Sequence, residues 1–321
     1  AGVEPTCTTT GMTEGQFCNT CGVIIVAQTT IPKIECIESS WILDKEATSA
    51  EDGREHTECT MCGKLINEKT LEAGNKKLEY TLLDDGTYAV TGLGACNDKD
   101  LVIPSEYNGK PVTVIGEGAF WSYTSLKSVV IPDTVTSIGA SAFRNCTKLT
   151  SVTFGNSVES IGESAFLSCI ALEAVDLPDS LKTIGISTFF NCIEIEAIVI
   201  PEGVISIPET AFKQCSSLKS LSLPNTLVSI GFEGFAKCVE LETVTLPDSV
   251  ETIETSAFNQ CSKLTTLYVG SSLMGFGDFA FGGCYELTTI NYNGTRAQWN
   301  RIGKGMLWIP QNVNYTVNCL D

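Results

Sequence analysis

Histidine, basic residues and long apolar runs are scarce in this 321-residue chain, and each scarcity excludes a class of function. His56 is the one histidine, which removes most nucleophile–base pairs, histidine-rich metal sites and imidazole proton relays. With 20 Lys and Arg against 38 Asp and Glu, the net charge is −18. A nucleic-acid partner or an anionic lipid surface is therefore not expected. No apolar run approaches the roughly 18 residues of a membrane span, so direct membrane insertion is not predicted.

A repeat of 23 residues dominates the rest of the sequence. One unit, residues 126–148, has the pattern L-x-x-V-x-I-P-x-x-V-x-x-I-G-x-x-A-F-x-x-C-x-x. Phenylalanine recurs eight times at this interval, and cysteine recurs seven times in the same register, with Tyr123 in its place in the first repeat. The repeated residues are Phe120, Phe143, Phe166, Phe189, Phe212, Phe235, Phe258 and Phe281, with Cys146, Cys169, Cys192, Cys215, Cys238, Cys261 and Cys284.

The pattern within each unit predicts its local structure. L-x-x-V-x-I alternates like a short strand, which the following proline ends, and V-x-x-I-G predicts a second extended segment. A-F-x-x-C-x-x-L spaces three apolar residues three apart, which favours one turn of α- or 3₁₀-helix that faces inward. Because no unit can cover its own apolar face, the units must stack into a parallel solenoid. Adjacent strands are expected about 4.8 Å apart.

With these motifs, residues 79–321 resemble the BspA-like, treponemal-type leucine-rich repeats of bacterial and protist surface proteins. Residues 79–114 look like the lead-in to the repeats, including the start of a lengthened first repeat, and residues 292–321 like the closing cap. In that cap, Thr295 is expected to begin a short helix whose Trp299 and Ile302 cover the last repeat. The resemblance implies a secreted or cell-surface protein that binds macromolecules of a host or neighbouring cell.

Three repeats depart from the consensus. Pro208 and Glu254 replace the glycine that follows isoleucine, and Phe276 replaces that isoleucine in the last repeat. We expect small local distortions there and no new chemistry.

The seven repeat cysteines are predicted to be buried free thiols. The A-F-x-x-C register points them inward, where a thiol packs as a small apolar group. A ladder of disulfides is geometrically poor, because stacked equivalents point in parallel and an odd number must leave one over.

The remaining cysteines are concentrated in residues 1–78, which form a duplicated C-x2-C module. Each C-x2-C pair is followed by glycine, at Gly22 and Gly63. The first copy can hold tetrahedral zinc or form the disulfides of a small exported module, and the spacing serves both. The candidate ligands, or disulfide partners, are Cys7, Cys18, Cys21 and Cys36.

The second copy lacks a complete set of its own. Ser49 stands where the first copy has Cys7, and no clear partner corresponds to Cys36. His56, three residues before Cys59, can complete a zinc shell or be a lone exposed histidine without that role.

The residues that flank valine in L-x-x-V-x-I are predicted to form an outward, concave face. Of sixteen such positions only Asp176 is charged, and none is histidine or cysteine, so no enzyme site is predicted there. Many weak hydrogen bonds, with Tyr268 as the aromatic anchor, would suit a protein or glycan. The alternative is that Ser and Thr simply suit exposed strand positions. The candidate ligand-binding residues are Ser151, Thr153, Asp176, Ser220, Ser222, Thr243, Thr245, Thr266, Tyr268 and Asn291.

The sequence thus predicts a leucine-rich-repeat solenoid behind a small cysteine-knuckle module, acting in non-catalytic recognition or adhesion at a cell surface. We expect a monomer that requires no cofactor, with structural zinc as an option for the knuckle module. The first alternative is a structural spacer without a ligand of its own. The second is a zinc- or thiol-dependent activity of the knuckle module, which would need accessible thiols of low pKa.

Overall fold

The computed structural model describes residues 11–14, 16–17, 24–26, 30–31, 35–40, 42–45, 53–71 and 77–321. The chain divides into two compact units, Ala1–Ala73 and Gly74–Asp321. The described strands of the first unit are β1 (Gly11–Met12), β2 (Gln16–Phe17), β3 (Ile24–Val26), β4 (Thr30–Ile31), β5 (Ile42–Lys45), β6 (Gly53–Glu58) and β7 (Leu65–Leu71). All of them pair antiparallel, β1 with β4, β2 with β3, and β5, β6 and β7 in one three-stranded sheet.

The second unit opens with strands that precede the regular repeats. They are β8 (Glu79–Leu82), β9 (Tyr88–Gly92), β10 (Asp100–Val102), β11 (Glu106–Tyr107) and β12 (Lys110–Ile115). The extra residues of the lengthened first repeat form a hairpin of β11 and β12, turning at Asn108 and Gly109, both with positive φ. Tyr80 stacks on Tyr107 at 3.8 Å between ring centroids, and Tyr88 meets Tyr107 edge-on at 5.1 Å. An aromatic cluster therefore packs at the start of the solenoid.

The regular repeats and the cap supply the remaining elements. They are β13 (Ser128–Val130), β14 (Ser137–Ile138), β15 (Ser151–Thr153), β16 (Ser160–Ile161), β17 (Ala174–Val175), β18 (Thr183–Ile184), β19 (Ala197–Val199), β20 (Ser206–Ile207), β21 (Ser220–Ser222), β22 (Ser229–Ile230), β23 (Thr243–Thr245), β24 (Thr252–Ile253), β25 (Thr266–Val269), β26 (Gly275–Phe276), β27 (Thr289–Tyr292), α1 (Arg296–Trp299), β28 (Gly303–Lys304) and β29 (Thr316–Asn318).

These strands form two parallel stacks, one from each extended segment of the repeat, which confirms the predicted parallel solenoid. The first stack has hydrogen-bonded runs β10-β13-β15-β17, β19-β21 and β23-β25-β27-β29. The second stack has runs β9-β12-β14-β16-β18 and β20-β22-β24-β26-β28, and β8 extends the first of these as an antiparallel edge. Registers advance by 23 residues, as in Val129 beside Val152 and Ile138 beside Ile161.

The A-F-x-x-C segment folds as successive i→i+3 turns without joining into a continuous helix. Arg144 and Cys146 donate their N–H groups to the carbonyls of Ser141 and Phe143. Ser141 and Asn145 have positive φ, which interrupts a helix and turns their N–H groups toward the next coil. Ser141 donates to Glu163 at 2.8 Å. The turns thereby add a third set of hydrogen bonds between coils.

Two ladders fill the core between the strands and the turns. The eight repeat phenylalanines are fully buried, and neighbouring rings stack at 5.1–5.4 Å between centroids, nearly parallel. The seven repeat cysteines are also fully buried, as predicted. Each thiol donates to the carbonyl oxygen of the phenylalanine 26 residues earlier, at 3.1–3.4 Å.

Of the three predicted distortions, the one at Pro208 is confirmed. Gly185 and Gly231 donate their N–H groups to the isoleucine carbonyl one coil earlier, but Pro208 has no N–H to donate. The second stack is interrupted at this coil, between β18 and β20. The prediction of a distortion at Glu254 was wrong, because the Glu254 N–H still donates to the Ile230 carbonyl at 2.9 Å. Phe276 also keeps regular pairing.

The end of the solenoid is closed as predicted. Thr295 begins α1 with a capping box, and Trp299 and Ile302 are buried against the last coil. Phe276 stacks on Trp308 at 4.5 Å, so the substitution at this position meets the cap. Strands β28 and β29 extend the second and first stacks by one strand each. The cap therefore covers apolar surface that the final repeat would expose.

Candidate functional site

The outward side of the first strand stack is the candidate binding surface, which we name the hydroxyl face. Its middle residues, such as Val152 and Val244, point into the core, and most flanking residues are exposed. The predicted alternation is therefore confirmed. The face consists of Ser128, Val130, Ser151, Thr153, Ala174, Asp176, Ala197, Val199, Ser220, Ser222, Thr243, Thr245, Thr266, Tyr268, Thr289 and Asn291.

The ten candidate residues fall into three hydrogen-bonded runs of strands rather than one. The largest group lies on β23, β25 and β27, where Thr243 is beside Thr266, Thr245 is beside Tyr268, and Tyr268 is beside Asn291. Ser220 and Ser222 lie on β21, beside Ala197 and Val199. Ser151 and Thr153 lie on β15, and Asp176 follows β17.

Many hydroxyl groups on this face have no side-chain partner within the described part of the chain, although Ser128 Oγ donates to Asp100 Oδ1 at 2.7 Å and Thr266 Oγ1 lies 3.4 Å from Thr265 Oγ1. Among the described residues, no side-chain hydrogen bond engages Ser151, Thr153, Ser220, Ser222, Thr243 or Thr245. Away from the face, charged side chains pair between neighbouring coils: Glu159 with Lys182 at 2.8 Å, and Glu196 with Lys219 at 2.9 Å. On the hydroxyl face, the hydroxyls of these six residues are therefore left to solvent or a ligand.

Tyr268 lies in a surface depression of about 440 Å³ at one end of the hydroxyl face. Its side chain is 45% exposed, and Asn291 on the next strand lines the same depression. Asp248 accepts hydrogen bonds from the Ser271 N–H at 2.7 Å and from Asn293 Nδ2 at 3.0 Å to each carboxylate oxygen. These bonds lower the pKa of Asp248, with the Ser271 N–H as the largest cause. An aromatic surface, amides and a fixed carboxylate therefore meet here.

A second depression, of about 550 Å³, lies between β17 and β19, where the first stack has no strand-to-strand hydrogen bonds. It gathers four carboxylate residues, Glu173, Asp176, Glu194 and Glu196. Of these four residues, only Asp176 was predicted from the sequence. Glu173 and Glu196 occupy equivalent positions just before their strands, a repeat signal that could have found them.

In the first unit, three cysteines come together. The Sγ atoms of Cys36, Cys59 and Cys62 all lie within 4.8 Å of one another. This places Cys36 beside the second C-x2-C pair, a grouping that the comparison of the two copies did not suggest. The other members of the predicted set, Cys7, Cys18 and Cys21, lie outside the described residues.

His56, three residues before Cys59, lies against a carboxylate. Its Nδ1 is 2.8 Å from Asp44 Oδ1, and its Nε2 is 4.0 Å from Glu58 Oε2. The side chain is 20% exposed and lies against Asp44, so it does not match the lone exposed histidine that was one of the two roles left open by the sequence.

The thiols of the solenoid repeats are unsuited to nucleophilic or redox chemistry. Burial raises the pKa of Cys146 and of Cys215 to about 12. Burial also raises the pKa of Cys192 and Cys238 well above the ordinary value. Because the thiolate is the reactive form, these groups are inert at neutral pH.

The described residues contain no helix with the length and apolar character needed to cross a bilayer.

Comparison with known proteins identifies the repeat. A family model described as BspA type leucine rich repeat region, with six copies, matches residues 113–202 and 182–304. No curated protein matches the chain.

Solved structures of bacterial leucine-rich-repeat proteins are similar to the chain. A leucine-rich repeat protein from Bacteroides ovatus is 30% identical with a TM-score of 0.62, over 71% of this chain and 66% of that one. The chain thus spans less than two thirds of that protein. The leucine rich repeat protein of T. pallidum is 30% identical with a TM-score of 0.50, over 66% of this chain and 88% of that one. A leucine rich cell surface protein from Faecalibacterium prausnitzii is 21% identical with a TM-score of 0.33, over 71% and 96%.

Proposed function

Because the chain belongs to the BspA-type leucine-rich-repeat family, whose members typically mediate protein interaction or adhesion, we propose that it is a recognition protein. It holds a protein or glycan of a host or neighbouring cell across the hydroxyl face, as a bacterial protein at the cell surface or outside the cell. It acts as a monomer and without catalysis.

The observation that carries this proposal is the contrast between the two kinds of polar surface. Charged side chains such as Glu196 and Lys219 pair with one another between coils, whereas most serine and threonine hydroxyls of the hydroxyl face are exposed and open to a ligand. They recur on β13, β15, β21, β23, β25 and β27 but not on β17 and β19, so a ligand that runs along the stack meets the same chemistry on most strands. Tyr268 and Asn291 line a depression at one end of the hydroxyl face, where the tyrosine offers an aromatic surface to a ligand. Such an arrangement suits binding by many weak contacts.

The chemistry of the face supports a non-catalytic role. Among the described residues it presents no histidine, no cysteine and no cation, and the nearby carboxylates surround an open depression. A general acid–base mechanism needs groups of matched pKa held around a reacting atom. Recognition needs only a complementary surface.

The test begins with the full chain on a glycan array and on a panel of host and matrix proteins. For the ligand found, Tyr268→Ala is compared with Tyr285→Ala, a matched control whose tyrosine is 64% exposed but lies outside the hydroxyl face. Tyr268→Ala should weaken binding by about three- to tenfold, because the contact is spread over several coils. The control should bind like the parent protein.

Other outcomes separate the alternatives. Complete loss of binding from a change far from the hydroxyl face would contradict the proposed surface. A flat response on both the array and the panel would favour the structural spacer. A catalytic activity that thiol alkylation abolishes both in the parent protein and in Cys319→Ser would move the function to the first unit.

A further inference from the structure

Three cysteine sulfurs meet at the tip of a hairpin in the first unit, and we propose that Cys36, Cys59 and Cys62 form a zinc site. The ion would take three thiolates from these residues and one further ligand. This inference does not depend on the recognition function, since it concerns the other unit of the chain.

The turn that follows β6 presents two of the sulfurs. The Gly63 N–H donates to the Cys59 carbonyl at 2.8 Å, and the Cys59 N–H donates to the Lys64 carbonyl at 2.8 Å. Gly63 has φ of +69°, a conformation that side-chain-bearing residues rarely adopt. This glycine therefore lets Cys59 and Cys62 approach the same point across a tight turn.

A neighbouring segment brings the third sulfur to the turn. Residues 37–39 run antiparallel to residues 58–60, with Ser39 N–H donating to Glu58 at 2.8 Å and Thr60 N–H donating to Ile37 at 2.9 Å. Cys36 is next along this segment and so lies beside the turn.

The carboxylate of Glu38 joins this segment to the β6–β7 hairpin by hydrogen bonds. Its Oε1 accepts hydrogen bonds from Thr57 Oγ1 at 2.7 Å and from Asn67 Nδ2 at 2.6 Å. Glu38 is therefore a positioning residue that holds Cys36 near its partners without touching the metal.

The spacing and number of the sulfurs favour zinc over a disulfide. Zinc–sulfur bonds of about 2.3 Å in a tetrahedron separate the sulfurs by about 3.8 Å, and the three Sγ atoms lie within 4.8 Å of one another. Three sulfurs cannot all be joined in one disulfide, but all three can bind a single ion. Soft thiolates also select zinc over the hard cations Mg²⁺ and Ca²⁺.

Exposure makes the site testable by thiol protection in the full-length protein. Cys36 and Cys62 are exposed and should react quickly with iodoacetamide unless a bond protects them, whereas Cys59 is buried. We expect both to be protected as purified and to become reactive after treatment with a strong zinc chelator. Cys319, which is partly exposed and lies in the other unit, is the internal control and should react equally with and without chelator.

Metal analysis supplies the second measurement. Cys62→Ser should lose one zinc per chain relative to the parent protein, and Cys319→Ser should lose none. Replacing zinc by Co²⁺ should give a thiolate-to-cobalt absorption band that weakens in Cys62→Ser. Glu38→Ala should lower zinc affinity by about tenfold or more, the effect of losing a group that orients metal ligands.

Two results would overturn the proposal. Protection that a reductant releases and a chelator does not would show a disulfide among these cysteines. Unchanged zinc content in Cys36→Ser, Cys59→Ser and Cys62→Ser would place any bound metal elsewhere. Neither result bears on ligand binding by the hydroxyl face, so the two proposals fail separately.

Discussion

Replacing Phe212 with alanine should destabilise the centre of the solenoid more than any surface change. Phe212 is fully buried, and its ring stacks on Phe189 at 5.4 Å and on Phe235 at 5.2 Å between centroids. Truncating a buried phenylalanine costs about 3–5 kcal/mol. Because the cavity separates two rings that each lose a stacked neighbour, we expect the upper half of that range.

The matched control is Phe232→Ala. Phe232 is 38% exposed, so its truncation leaves no closed cavity and should cost less than about 1 kcal/mol. Urea unfolding followed by circular dichroism gives the two free energies of unfolding. Repeat arrays can unfold segment by segment, so a single unfolding curve can average several transitions. Hydrogen exchange followed by mass spectrometry should therefore accompany the urea unfolding.

The exchange pattern is the sharper readout. In Phe212→Ala, protection should fall most in the coils on either side of residue 212 and least around Phe143. The N–H of Phe212 donates to Gly234 in the next coil at 2.8 Å, and that amide should be among those affected. A free-energy loss no larger than that of Phe232→Ala would refute the idea that the stacked rings hold the coils together.

Three further predictions concern the repeat thiols, the cap and acid stability. Peptide mapping after iodoacetamide treatment of the folded protein at about pH 8 should find Cys146 and its six repeat equivalents unmodified, because all seven side chains are buried away from the reagent. Thr295→Ala removes the hydroxyl that accepts from the Gln298 N–H at 3.3 Å and should lower the free energy of unfolding by about 1 kcal/mol, measured with urea. The lowered pKa of Asp248 stabilises the fold above the unfolded pKa of about 3.9, and this contribution is lost as pH falls through the folded pKa. Asp248→Ala should therefore lower the urea midpoint at pH 7 and change it less at about pH 3, and an equal change at both would contradict the assignment.

Much of the solenoid follows from the sequence because its contacts repeat at a constant interval. Phe143 must lie beside Phe120 and Phe166 once identical units stack, so the ladders and the inward or outward direction of each strand residue are determined locally. The closing cap follows similarly, since Thr295, Trp299 and Ile302 are a helix start and two apolar residues at the end of an open core. The distortion at Pro208 could also be predicted from the sequence, because proline lacks the N–H that the equivalent residues donate.

Other features depend on contacts that the 23-residue repeat does not predict. Glu254 keeps its backbone bond, because replacing glycine there alters the side chain but leaves the N–H in place. The depression with four carboxylates lies between β17 and β19, where the first stack lacks strand-to-strand hydrogen bonds, and the repeat interval does not predict this break.

The sequence by itself determined the stacking of the repeats, since apolar residues at a fixed spacing have one way to bury one another. Only the tertiary structure decided which cysteines meet in the first unit. Cys36 is 23 residues from Cys59 in the chain, yet strand pairing by residues 37–39 and the bonds to Glu38 carry it to the turn at Cys59 and Cys62. Irregular pairing of this kind is set by individual hydrogen bonds, which composition and spacing do not reveal.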